Sequence, residues 1–243
     1  MREVGLESNT AAVEFAQRLG RGELRGALLI LLTGVGARAL FELAAGVLPR
    51  ERLAAALSEL TVLVRGPKPV PVCKEWGVRI DLRAPEPNTW REVLQVLEES
   101  QQPLAGRSVL IQEYGAPAPE LTAALKARGA LVETISVYRW ALPVDCEPLR
   151  EAIRRTVRGE FDVLMFTSAQ QVRNVLAVAG ELGLEEAFRA AAGRLLIASI
   201  GPTTTEALRE AGLPQPFEPS HPKMGQLVRE ACAYARQQTA AGG

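Results

Sequence analysis

Leu28-Leu29-Ile30-Leu31-Leu32-Thr33-Gly34-Val35-Gly36-Ala37 is an unbroken apolar run that stops at a hydroxyl and two glycines and passes into helical spacing. A short run without polar alternation suits a strand buried on both faces, the kind found in parallel sheets. The same order of events recurs at Val163-Leu164-Met165-Phe166-Thr167-Ser168, again ahead of an amphipathic stretch. A second match joins Leu63-Val64-Arg65-Gly66-Pro67-Lys68 to Ala198-Ser199-Ile200-Gly201-Pro202-Thr203. Thr33 to Gly66 spans 33 positions and Thr167 to Gly201 spans 34, so aligning Thr33 with Thr167, an offset of 134, keeps both matches nearly in step. Ala84-Pro85-Glu86-Pro87 and Pro216-Phe217-Glu218-Pro219 form a weaker third pair. Repetition of this kind predicts two similar lobes.

Outward from these segments, short Val-, Ile- and Leu-rich runs alternate with amphipathic ones, the pattern of βαβ units and a mostly parallel sheet. Strands are expected at 27–32, 60–65, 108–112, 131–137, 162–166 and 195–200, and helices at 35–45, 90–98, 119–128, 169–179, 204–211 and 224–235. Gly46, Gly129, Gly180 and Gly212 stand where helices would stop in the left-handed conformation. The offset of 134 sets Met1 opposite Ile135 and leaves nothing opposite Ser108 to Thr134. The second lobe is therefore expected to lack a first strand and helix, roughly 30 residues, that would precede Met1.

Composition narrows the function classes. Lys and Arg number 28 and Asp and Glu 28 in 243 residues, and this balance argues against a nucleic-acid backbone binder. The longest uncharged apolar run, Gly26 to Ala37, falls short of the roughly 20 residues of a membrane span. Met1-Arg2-Glu3-Val4 does not open a signal peptide, and Cys73, Cys146 and Cys232 form neither a disulfide framework nor a zinc motif, so a cytoplasmic protein is expected. The single histidine, His221, lies between prolines in Pro219-Ser220-His221-Pro222 and reads as an exposed loop residue, which leaves triads and two-histidine metal sites without support.

Gly34-Val35-Gly36-Ala37-Arg38-Ala39 fits G-x-G-x-x-A after a strand. The acidic residue that would grip a ribose at the end of the next strand is missing, since that strand runs into Arg65-Gly66-Pro67, and a tight strand-to-helix turn is the favoured reading. Hydroxyls recur at such turns: Thr33, Thr167-Ser168 and Thr203-Thr204-Thr205. At the carboxyl ends of parallel strands they suit an anionic ligand, and they equally suit plain helix capping.

Gln112-Glu113-Tyr114-Gly115-Ala116-Pro117, then Glu120-Leu121, Leu125, Gly129-Ala130-Leu131-Val132 and Ile135-Ser136-Val137-Tyr138-Arg139, resembles the uroporphyrinogen-III synthase family. So do Ile200-Gly201-Pro202-Thr203-Thr204 with Ala207-Leu208 and Gly212-Leu213 behind it, Leu6-Glu7-Ser8-Asn9-Thr10, and Thr33-Gly34-Val35-Gly36. The resemblance covers nearly all of residues 1–235. It implies an α/β protein of two flavodoxin-like lobes joined by two extended strands: linker strands at 1–7 and 135–143, one complete lobe at 8–134 and a second at 144–243 that lacks its first strand and helix.

The resemblance also implies the activity. Hydroxymethylbilane would lose water and cyclise with inversion of its terminal pyrrole ring, a step of tetrapyrrole biosynthesis that uses no cofactor and no metal. Tyr138 matches the family's candidate acid for departure of the hydroxyl; packing in a strand is its other reading. Thr33, Gly34, Ser168, Thr203 and Thr204 match positions lining the family's cleft, and Lys68 or Arg65 could meet a substrate carboxylate where the family's further threonine is replaced near Pro69. A monomer is expected, with the small-molecule substrate as its partner and no nucleic acid or membrane. The alternative is a non-catalytic two-lobed α/β binder of a small anionic ligand, or a truncated inactive relative.

Overall fold

The computed structural model describes residues 2–5, 9–113 and 115–241. The chain divides into two compact units, Arg2–Ala141 and the part from Leu142 onward. In the first, β1 (Arg2–Gly5) is followed by α1 (Thr10–Gly20), β2 (Leu28–Leu31), α2 (Gly34–Ala45), α3 (Arg50–Leu57), β3 (Thr61–Arg65), α4 (Val70–Glu75), β4 (Leu82–Ala84), α5 (Trp90–Glu99), β5 (Ser108–Gln112), α6 (Pro119–Ala127), β6 (Leu131–Ile135) and β7 (Tyr138–Ala141). The second holds α7 (Glu147–Val157), β8 (Val163–Phe166), α8 (Ala169–Glu181), α9 (Glu185–Ala192), β9 (Leu196–Ser199), α10 (Pro202–Glu210) and α11 (Met224–Ala241).

The first unit is built on a five-stranded sheet, order β4-β3-β2-β5-β6, whose pairs are all parallel. β2 is central and every one of its residues is buried, which is why its sequence carries no alternation. One face of the sheet packs against α1 to α4 through Leu29, Leu31, Leu40, Phe41, Leu53 and Trp76. The other packs against α5 and α6 through Leu28, Ile30, Val93, Leu97, Leu121 and Leu125. Thr89 and Glu92 close a reciprocal capping box on α5, satisfying two donors that the first turn leaves over. β1 and β7 pair antiparallel as a separate ribbon, Gly5 opposite Tyr138.

The second unit repeats part of this plan. β8 pairs parallel with β9, Val163 opposite Leu196, and Ala198 forms a parallel bridge to Phe217. Each of these pairs is its first-unit counterpart moved by 135 positions: Leu28 opposite Thr61, and Leu63 opposite Leu82. The strand pairings of the two units thus share one register, at an offset of 135 rather than the 134 read from the sequence. Ser168 is the counterpart of Thr33, and the weak third pair of the sequence is out of register by three. Among the described residues β8 is paired on one side only, whereas β2 also carries β5 and, beyond it, β6.

The glycine stops divide. Gly129 and Gly212 are left-handed as expected, at φ 82° and 65°. Gly46 stays in the right-handed region at φ −69°. Gly180 lies inside α8, which runs on to Glu181 and stops before Gly183 at φ 68°. Leu6, Glu7, Ser8 and Tyr114, which belong to the motifs above, lie outside the described residues. No helix among the described residues is long and apolar enough to cross a membrane.

Candidate functional site

Thr33 ends the first sheet's central strand in an extended conformation, and its hydroxyl accepts the Gly36 N–H at 3.0 Å, capping α2. Both glycines of this turn are required by close approach. A Cβ on Gly34 would overlap the backbone carbonyl of Lys68, and one on Gly36 would overlap the side-chain amide of Gln112. The volume over Gly36, where a dinucleotide pyrophosphate would need backbone access, is thus occupied by protein. The tight-turn reading accounts for G-x-G-x-x-A.

Gln112, the last residue of β5, is fully buried. Its Oε1 accepts the Thr33 N–H at 3.3 Å, and its Nε2 donates to the Glu113 carbonyl. Thr33 Oγ1 lies 3.3 Å from the hydroxyl of Tyr138 at the start of β7. Tyr138 is 5% exposed and meets Trp140 edge to face, ring centroids 5.5 Å apart. Both rings crowd Gly115, whose φ of +82° and lack of side chain let the chain pass beneath them. Glu113 is also buried; its N–H donates to the Ile135 carbonyl and its carboxylate accepts from the Ser136 hydroxyl, so the end of β5 is tied to the segment leading into Tyr138.

Thr33, Gly34 and Tyr138 are brought together in this way, with Lys68 touching the turn through its backbone. Arg65 closes β3 half-buried, and the Lys68 side chain is exposed. In the second unit Ser168 caps α8 by accepting the Gln171 N–H at 3.4 Å. Thr204 is buried in the first turn of α10, its N–H on the Gly201 carbonyl at 3.0 Å, and Thr203 is exposed beside it. Ser168 and the Thr203–Thr204 pair thus follow the carboxyl ends of adjacent strands.

Residues the sequence reading passed over complete the picture. Besides Gln112, Glu113 and Ser136, these are Gln171, whose Oε1 accepts the Thr167 N–H at 2.7 Å, and a chain in which the buried Ser199 and Thr205 hydroxyls stand 2.5 Å apart and Thr205 donates to the exposed Glu218. The available signal was a polar residue closing an otherwise apolar strand, Ser108-Val109-Leu110-Ile111-Gln112. His221 is exposed, within 3.2 Å of the Ser220 hydroxyl. Burial raises the Cys73 thiol to about 11, well above its ordinary range, which makes it inert packing. Among the described residues no group of three or more His, Cys, Asp or Glu side chains is placed to hold a metal ion.

A family model described as uroporphyrinogen-III synthase HemD matches residues 3–229. The chain is 28% identical to a mutant uroporphyrinogen III synthase from the extremely thermophilic bacterium Thermus thermophilus, whose crystal structure it matches with a TM-score of 0.66 over 98% of this chain and 87% of that one. A further Thermus thermophilus uroporphyrinogen III synthase structure is 30% identical, with a TM-score of 0.53 over 97% and 86% of the two chains. The uncharacterized protein YjjA of Bacillus subtilis strain 168 is 29% identical over 207 residues, 85% of this chain and 75% of YjjA. On a family match that spans almost its whole length and a fold shared with solved members, the chain belongs to the uroporphyrinogen-III synthase family.

Proposed function

We propose that this chain is a uroporphyrinogen-III synthase, a hydro-lyase that closes hydroxymethylbilane with inversion of its last pyrrole ring. The observation that carries the reading is the Thr33–Tyr138 hydroxyl pair at the carboxyl end of the parallel sheet, the end at which open α/β sheets receive ligands. The electron-rich pyrrole expels its hydroxyl as Tyr138 supplies a proton, and water leaves. The azafulvene attacks the substituted carbon of the terminal ring, the spiro intermediate fragments and recloses, and the proton lost as the ring regains aromaticity returns to the tyrosinate. In this reading Thr33, Gly34, Ser168, Thr203 and Thr204, with Arg65 and Lys68, would contact substrate carboxylates through groups other than the Thr33, Gly36, Gln171 and Thr204 N–H donors, which are accepted within the protein. The chemistry calls for no cofactor and no metal, and the reading includes a cytoplasmic monomer.

In the same reading the lobes span 8–134 and 144–243, with linkers at 1–7 and 135–143. The common register of 135 supports this division. A cavity of about 330 Å³ is lined by Leu164, Met165 and Phe166 together with Ile153 and Phe188. Consecutive strand residues point to opposite faces, so a cavity touching all three lies at the strand's edge. The edge of β8 that is unpaired among the described residues is then where one further strand fits, at the place that β5 takes in the first unit.

The burial of Tyr138 favours a second reading, in which the tyrosine only packs and the protein is a non-catalytic binder of a small anionic ligand. Freshly generated hydroxymethylbilane, with type I and type III products separated, distinguishes the two. Type III formation that falls at least about 100-fold in Tyr138→Phe, with thermal stability retained, supports the enzyme. Absence of type III product with the unaltered chain supports the binder, and unchanged turnover in the variant removes the acid role.

A further inference from the structure

We propose that Gln112 is the positioning residue that sets the Thr33–Tyr138 hydroxyl pair. The inference rests on the reading of Tyr138 as the acid. Three independent contacts converge on one side-chain amide that is 0% exposed: its oxygen on the Thr33 N–H, its nitrogen on the Glu113 carbonyl, and its flank against Gly36. A carboxamide used at both ends has one orientation, so it fixes the turn rather than merely filling space.

The consequence passes through Thr33. One lone pair of its Oγ1 is taken by the Gly36 N–H. The hydroxyl proton is then best directed at the Tyr138 oxygen 3.3 Å away, an arrangement that stabilises the phenolate left after proton donation. The neighbouring residue fixes the other partner: Glu113 holds Ile135 and Ser136, the latter two positions before Tyr138. The end of β5 therefore holds the acid and its helper at one spacing. Gln112 touches neither substrate nor the reacting atoms in this scheme and acts only through Thr33.

The second unit offers a partial parallel. There Gln171 Oε1 accepts the N–H of Thr167, the residue before the Thr33 counterpart Ser168, at 2.7 Å. Shifted by the common register, Gln171 stands at the place of Gly36. The two units thus put a carboxamide over the same turn from different chain positions, and in the first the glycine leaves room for it.

The test is Gln112→Met in the full chain carrying tyrosine labelled with 13C at Cζ, the Tyr138 resonance being identified by its loss in Tyr138→Phe. The expected result is a displaced Tyr138 resonance with Tyr234 unmoved, kcat for type III product lower by about 10-fold or more, and KM within about 2-fold. An unmoved Tyr138 resonance, or a loss carried in KM alone, overturns the proposal. Should Gln112→Met not fold, Gln112→Asn is read in the same way; it keeps a neutral amide but draws it back from Thr33, and is expected to lose less. Full type III turnover in Tyr138→Phe would instead be a failure of the acid reading, whatever Gln112 does.

Discussion

The first unit surrounds its central strand, while the second leaves the matching strand paired on one side. β2 lies between β3 and β5 with all four residues buried; β8 has β9 alone among the described residues, and Val163, Leu164 and Met165 stay half-buried. The same strand-turn-helix sequence therefore sits in two environments. The difference teaches that the turn is a self-contained device, since a hydroxyl cap and a glutamine amide are present in both units, whereas burial of the strand is conferred by its neighbours.

The strongest way to break this contrast is truncation of one core aromatic in each unit. Phe41, fully buried against Trp76 at 5.8 Å between centroids, is expected to cost about 4 kcal/mol as Phe41→Ala in denaturant unfolding. Phe188 lines the cavity beside β8, where neighbours can shift and water can enter, so Phe188→Ala is expected near the bottom of the usual range, about 3 kcal/mol. Equal losses would mean that the open edge does not soften the second core.

The next effect is confined to the first unit. Burial raises the Cys73 thiol to about 11 from an ordinary 9.0, so the folded state favours the neutral form. Its contribution is whole below pH 9 and is lost as pH climbs from 9 to 11, by about 2 kcal/mol at the upper end. The stability difference between the protein and Cys73→Ala should shrink by that amount across this window. A difference flat with pH would place Cys73 in a wetter site than its position on α4 shows.

Amide exchange sharpens the comparison with the smallest perturbation. β2 amides, inside a three-strand neighbourhood, are expected to exchange at least about 10-fold more slowly than β8 amides under the same conditions. Comparable protection would show that β8 has a partner on its free side in solution.

Much of the fold is legible because burial on both faces writes itself as uninterrupted apolar runs. β5 matches 108–112 to the residue, and β2, β3, β8 and β9 lie inside their expected spans. α1, α3, α4, α7, α9 and β4 are absent from the reading: α3, α4, α7 and α9 are short or rich in Arg and Glu and bury only two or three side chains each, β4 has three residues, and α1 buries four side chains and is passed over although it carries an apolar face. β1 and β7 enter only through the family resemblance, since a two-stranded ribbon has no periodic mark of its own. The candidate site divides in the same manner. Hydroxyls after strands are visible as a pattern, but the role of Gln112 depends on a contact with Thr33 79 positions away, which no local rule reports. The offset erred by one because Thr167 and Ser168 offer two adjacent hydroxyls, and only strand pairing shows which of them has the capping place of Thr33.

The fit of Gly36 against Gln112 has a consequence for how relatives of this chain drift. Positions 36 and 112 share one volume, so neither is free to vary alone: any side chain at 36 demands a shorter residue at 112, and loss of the amide at 112 removes the demand for glycine. The second unit already illustrates the reciprocal solution, with the glutamine carried by the helix itself at 171. In this chain the second glycine of the fingerprint is accordingly half of a coupled pair, and it is to be read beside the residue that closes the neighbouring strand.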